Sequence, residues 1–116
     1  MADRTIVAAP ESQGNGALTS RLLAAVVAVD VGEWIDTLGY SPHHFEITGI
    51  TVGTVKIHGS LAPTKPANAV HGFQIGADAT ADGQVVNADP IRWVKARVSA
   101  WTSGTINVDM VAEGND

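Results

Sequence analysis

From Ile91 to Trp101 the chain alternates at every step: Val94, Ala96, Val98 and Ala100 fall on one side, and Trp93, Lys95, Arg97, Ser99 and Trp101 on the other. A period of two belongs to an extended strand, whose successive side chains point to opposite faces. The small aliphatic row is the expected core face. Turned the other way, Lys95 and Arg97 would be buried without partners, which is strongly unfavourable. Thr102-Ser103-Gly104 has turn chemistry, and Ile106, Val108 and Met110 alternate again beyond it. The spacing therefore predicts a hairpin of Ile91–Trp101 with Thr105–Val111.

The same pattern recurs upstream in shorter pieces. Thr54 to His58 alternates, with Val55 and Ile57 inward and Lys56 outward; His44 to Thr48 places Phe45 and Ile47 on one face, and Gly49 and Gly53 are predicted to bracket a turn between the two. Further short strands are expected over Glu33–Leu38, Val70–Ile75 (Phe73 and Ile75 on one face) and Gln84–Asn87. Turns are expected at Ala79–Gly83 and Asp89-Pro90. Pro63, Lys65, Pro66 and Asn68 make 61–69 a loop, because proline cannot donate to a ladder.

Between Ala17 and Val31, Leu18, Leu22, Ala25 and Val29 would share a helical face. The β-branched Val26, Val27, Val29 and Val31 favour a strand over roughly 22–31 instead. Residues 1–20, with loop formers from Pro10 to Gly16, are assigned to an extended N-terminal arm and 21–116 to the domain. Within the arm, Thr5–Ala9 is a short apolar patch whose Ile6 and Val7 could join another subunit as an added strand. About eight short strands, with turn signals near every ten residues and no long helix, specify an all-β fold. The expected architecture is an antiparallel β-sandwich or jelly-roll-like barrel.

A chain of 116 residues, 45% hydrophobic and 16% charged, is sized for one domain with a real core. Seven basic against twelve acidic residues, net charge −5, argue against nucleic acid, since phosphate binding needs clustered Lys and Arg. The apolar run from Leu22 to Val31 is interrupted by Asp30 and falls short of the ~20 residues a bilayer requires, so no membrane partner is expected. Met-Ala-Asp-Arg-Thr has no signal-peptide character, which suggests synthesis in the cytoplasm. The absence of cysteine excludes a disulfide framework and a thiolate zinc site.

No catalytic constellation emerges. His43 and His44 are adjacent, so on a strand they face opposite ways; His58 and His71 lie on different segments, and no metal-ligand spacing of histidines occurs. Asp78, Asp82, Asn87 and Asp89 do not match a calcium loop, and no Gly-x-Ser-x-Gly elbow is present. Glu33, Asp36 and Glu46 do not stand out as a carboxylate pair from ordinary strand faces. The expectation is no catalytic residue, no cofactor and no metal. A small barrel enzyme of the cupin kind would need inward histidines from neighbouring strands.

The residues that stand out are Trp93, Lys95, Arg97 and Trp101, an aromatic and basic row opposite the core face. Trp and Arg are the residues enriched at interface hot spots. Three settings suit such a row: an inter-subunit contact, which is the expected one, packing covered within the chain, or a sugar-stacking platform to which Tyr40 could add. Trp34, between Glu33 and Ile35, is expected in the core.

The runs Gly32-Glu33-Trp34-Ile35-Asp36-Thr37-Leu38-Gly39, Gly53-Thr54-Val55-Lys56-Ile57-His58-Gly59-Ser60 and Ile91-Arg92-Trp93-Val94-Lys95-Ala96-Arg97-Val98, followed by Gly104-Thr105-Ile106-Asn107-Val108, resemble small virion structural proteins of tailed bacteriophages, most of all capsid decoration (cement) proteins. The resemblance spans residues 32–111. It implies a non-enzymatic protein bound in many copies to the capsid exterior, with the major capsid protein and its own copies, as a homotrimer, for partners. Ile6, Val7, Trp93, Lys95, Arg97 and Trp101 would then be interface residues. A tail or head–tail joint component, or a carbohydrate-binding module using exposed tryptophans, is the alternative.

Overall fold

The computed structural model describes Glu11, Ser12 and residues 17–114. The chain is all-β and antiparallel, with no helix among these residues. Seven strands are formed: β1 (Glu11–Ser12), β2 (Leu18–Val26), β3 (Ile35–Asp36), β4 (Tyr40–Ser60), β5 (Phe73–Ala79), β6 (Gly83–Asn87) and β7 (Trp93–Gly114). β1 and the start of β2 at Leu18 both fall within residues 1–20, so the sheet takes in part of the expected arm, Glu11–Ser12 included among its expected loop formers. Ile6 and Val7 lie outside the described residues.

β4 and β7 run antiparallel along their whole lengths, from Tyr40 opposite Gly114 to Ser60 opposite Trp93. At about 3.3 Å per residue, a straight strand as long as β4 would span roughly 70 Å. The longest dimension of the described molecule is 42 Å. The ribbon must therefore bend, and the register shifts between Thr48 and Val55 mark where it does so. Gly49 (φ +86°) and Gly104 (φ +119°) meet there: a Cβ on Gly49 would overlap the Thr105 carbonyl oxygen, and one on Gly104 the Gly49 carbonyl oxygen.

This corrects two sequence expectations. The turn at Gly49–Gly53 and the hairpin at Thr102–Gly104 are not chain reversals but bulged bends inside continuous strands. Residues 93–101 pair with 53–60, while Thr105–Val111 lies along the first half of β4, with Ile47 opposite Val108. Glycine and serine serve a bend as well as a reversal, and only the partner strand tells them apart.

Bending the ribbon makes two layers. The first half of β4 and the second half of β7 are flanked by β2, with β1 outside it, and by β6. The other halves are flanked by β5 on one side and by β3 and a bridge at Asp30 on the other. The arrangement is β-sandwich-like. One core cluster fills the interior, with Leu22, Leu23, Phe45, Ile47, Ile106, Val108 and Met110 from the first layer and Val55, Ile57, Ile75, Val94, Ala96 and Val98 from the second.

The local alternations hold within this frame. Phe45, Ile47, Val55 and Ile57 are buried, and Lys56 turns outward to Asp78 at 2.7 Å. Val94, Ala96 and Val98 are completely buried, whereas Ala100 is exposed because β7 has reached the bend. Phe73, expected beside Ile75, is exposed. β2 ends at Val26, short of the strand expected to run to Val31, and Ala25 takes a positive φ of 51°.

Candidate interaction surface

The second face of β7 is where the interface row was expected. The first half of this face carries Trp93, Lys95 and Arg97, across from Ser60, His58 and Lys56 of β4. The loop over residues 61–72 lies on it. Its carbonyl groups are captured by donors from below: Trp93 Nε1 donates to Ala62 O at 3.0 Å, Trp34 Nε1 to Ala67 O and Val70 O at 3.1 Å each, and Lys95 Nζ to Asn68 O at 2.6 Å. Asn68 Oδ1 accepts from the Trp34 backbone at 3.4 Å, and Lys65 reaches Glu33 at 3.3 Å on the rim.

This loop overturns the outward reading of Trp93 and Lys95. Trp93 keeps 7% of its exposure and Lys95 none. Lys95 is not buried unpaired: its partners come from the loop, which a strand pattern does not reveal. Its ammonium also sits 5.1 Å from the Trp34 ring, a cation–π contact. Trp34 is buried as expected, in this second pocket under the loop rather than in the main cluster. Arg97 and Trp101 remain half-buried, with Trp101 Nε1 donating to Gly104 O at 3.0 Å. With Trp93 covered, the two tryptophans form no exposed sugar-stacking platform, and Tyr40 packs against the core.

Electrostatically the covered site is unusual. Lys95 Nζ lies 2.8 Å from His71 Nδ1; His71 stacks on His58 with centroids 5.4 Å apart; and Arg97 Nε donates to His58 Nε2 at 2.9 Å. Two cations thus hold two imidazoles in their neutral forms. Burial, then the charges of Arg97 and Lys95, push His58 down to about 4. Burial and Arg97 bring Lys95 down to about 8, partly opposed by Asp30. The Phe73 backbone is near enough to favour a proton on His58, yet Nδ1 has no partner in hydrogen-bonding geometry.

The other titratable candidates are dispersed. His43 is buried and accepts or donates at Thr37 Oγ1, 3.1 Å away, while His44 is exposed and meets Gln84 at 2.9 Å, on opposite faces as alternation requires. Asp78 is held by Lys56 and Gln74, Asp82 accepts from the Ile50 backbone, and Asn87 donates to Asp89 O. The described residues contain no group of three or more such side chains placed to hold a metal ion.

The surface that sequence reasoning missed is the edge between β2 and β3. It is tied to β7 at Asp30, whose backbone exchanges bonds of 3.1 and 2.8 Å with Val98. On either side, Val27, Val29 and Val31 keep 55%, 62% and 43% of their exposure. Their β-branching is legible in the sequence and favours a strand through Val31, but β2 stops at Val26 and these three side chains lie beyond it. A shallow trough of about 300 Å³ lies on the outer face of the other layer, between Val86, Val111, His44, Glu46, Asp109 and Glu113. Comparison of the chain with protein-family models, with curated proteins and with solved structures finds no match.

Proposed function

We propose that this chain is a non-enzymatic virion structural protein, a capsid decoration (cement) protein that binds in many copies to the outside of a phage capsid. The observation that carries the reading is the valine edge. Unpaired backbone N–H and C=O groups at a sheet edge are a template for pairing with another chain, and exposed branched aliphatic side chains beside them favour the contact. Soluble proteins ordinarily blunt such edges with charge. Here Val27, Val29 and Val31 are left open around a single bridge at Asp30.

A neighbour laid along this edge would gain backbone hydrogen bonds and cover the valines together. In a symmetric shell each contact is repeated over many copies, so modest affinity per contact suffices. The sequence resemblance to decoration proteins supplies the partners, namely the major capsid protein and further copies of the chain.

Co-sedimentation of the purified protein with assembled phage capsids that lack it tests this directly. Saturable binding at a fixed copy number per capsid subunit is expected, and Val29→Asp should abolish it while leaving the fold intact. Absence of wild-type binding would move the protein to a tail or head–tail joint, and undiminished binding of Val29→Asp would remove the edge from the argument.

A further inference from the structure

The loop over 61–72 is fastened mainly through its own carbonyl groups, by two indole N–H donors that do not titrate and by Lys95, which stays mostly protonated at neutral pH and below. His71, at its end, is the exception. Its Nδ1 lies 2.8 Å from Lys95 Nζ; facing the ammonium, that nitrogen accepts, which leaves the ring neutral with its proton on Nε2. The same ring stacks on His58, which accepts from Arg97 through Nε2. Four basic groups are thus in sequence contact in space: Lys95, His71, His58 and Arg97.

The carboxylates facing this cluster make their hydrogen bonds elsewhere and act on it only through space. Asp30, on the valine edge, acts on Lys95 from a distance while its Oδ1 accepts from Gly32 N at 2.8 Å. Asp78, on β5, takes Lys56 and Gln74 and also feels the charge of Arg97, without a bond to it. Glu33 meets Lys65 on the rim at 3.3 Å. Among the described residues, no carboxylate forms an ion pair with Lys95, His71, His58 or Arg97.

We propose that the loop over 61–72 is a strap released by acid: a proton taken from solvent by His71 removes the acceptor used by Lys95 and sets a second cation against it, so the loop lifts from Trp34 and Trp93 while the sheet stays paired. The other acceptor of Lys95, the Asn68 carbonyl, is on the same loop and leaves with it. The direction of titration agrees. Burial and the charges of Lys95 and Arg97 hold His71 below the ordinary histidine range, and His58 lies lower still. Groups depressed in this way penalise the closed form progressively as the pH falls below the ordinary histidine value. The bonds holding the loop to the two indoles are neutral hydrogen bonds, each individually weak, so loss of the charged anchor is the largest single change available to it.

Acrylamide quenching of tryptophan fluorescence, followed with far-UV circular dichroism from about pH 8 to about pH 4, reads the strap, because its release exposes two of the three tryptophans. Quenching should rise at least about two-fold on acidification with the β spectrum unchanged, at the midpoint where NMR shows His71 gaining its proton. His71→Gln keeps an acceptor for Lys95 that cannot be protonated, and its quenching should stay flat. A flat wild-type profile, a rise that tracks loss of the β spectrum, or a rise retained in His71→Gln would each overturn the proposal. Should His71→Gln not fold, the wild-type titration decides: protonation of His71 without increased quenching also overturns it.

Discussion

In the first half of β7 both faces are covered, and in the second half only one. Trp93, Val94, Lys95 and Ala96 are all buried in succession, whereas Ile106, Val108, Met110 and Ala112 alternate with half-buried or exposed Asn107, Asp109, Val111 and Glu113. The inner faces of the two halves are alike and feed one core. Their outer faces differ because a loop lies over the first and solvent over the second. The outer face of the first half is therefore built as an interior, with indoles, a desolvated ammonium and hydrogen-bonded imidazoles. That of the second half is built as a surface, where Arg21 bridges Asp109 at 2.7 Å with both side chains well exposed.

The shared inner face is the place to break both halves at once. Val98→Asp and Val108→Asp each put an unpaired carboxylate into a fully buried site and should each cost more than about 4 kcal/mol, leaving no cooperative thermal transition. A folded Val98→Asp protein would reverse the face assignment.

The outer faces should then diverge. Trp93→Ala removes an indole enclosed by the loop and is expected to lose about 3–5 kcal/mol in urea melts, where Val111→Ala on the open half should lose under about 0.5 kcal/mol. Equal losses would mean that the loop does not cover the first half in solution. An open Trp93 would instead have shown itself in assembly, with little change in the isolated protein.

A pH series sharpens the same contrast. His58 is depressed in the folded state to about 4, so its contribution should be constant above about pH 6.5 and decline below it, as the unfolded chain takes up the proton first. Between about pH 6.5 and about pH 4 the loss should approach ~3 kcal/mol, and His58→Gln should remove most of that slope. The smallest effect is expected on the open half: Arg21→Ala should change stability by less than about 1 kcal/mol, with the difference fading in high salt.

The inner rows were legible because each is a local alternation whose burial does not depend on the partner. Phe45 and Ile47, Val55 and Ile57, and Val94, Ala96 and Val98 all fall inside as read, and β6 lies where Gln84–Asn87 was expected. Pairing was not legible. Residues 93–101 and 105–111 look like the arms of a hairpin because Thr102-Ser103-Gly104 suits a reversal, but the same residues suit a bulge when another strand of matching length lies alongside. The strand expected to reach Val31 ends at Val26, because β-branching records a preference for extended backbone and says nothing about whether a partner lies alongside to pair with it or which side faces water.

What the sequence by itself determined is the period of two, hence the strands, the all-β class and the row that forms the core. Only the tertiary structure decided that two long strands fold over as one ribbon, and that Trp93 and Lys95 are enclosed. The physical reason is that the groups closing over them are main-chain carbonyls at 62, 67, 68 and 70. Every residue carries such a carbonyl, so nothing in the identity of those residues announces where the chain will place it.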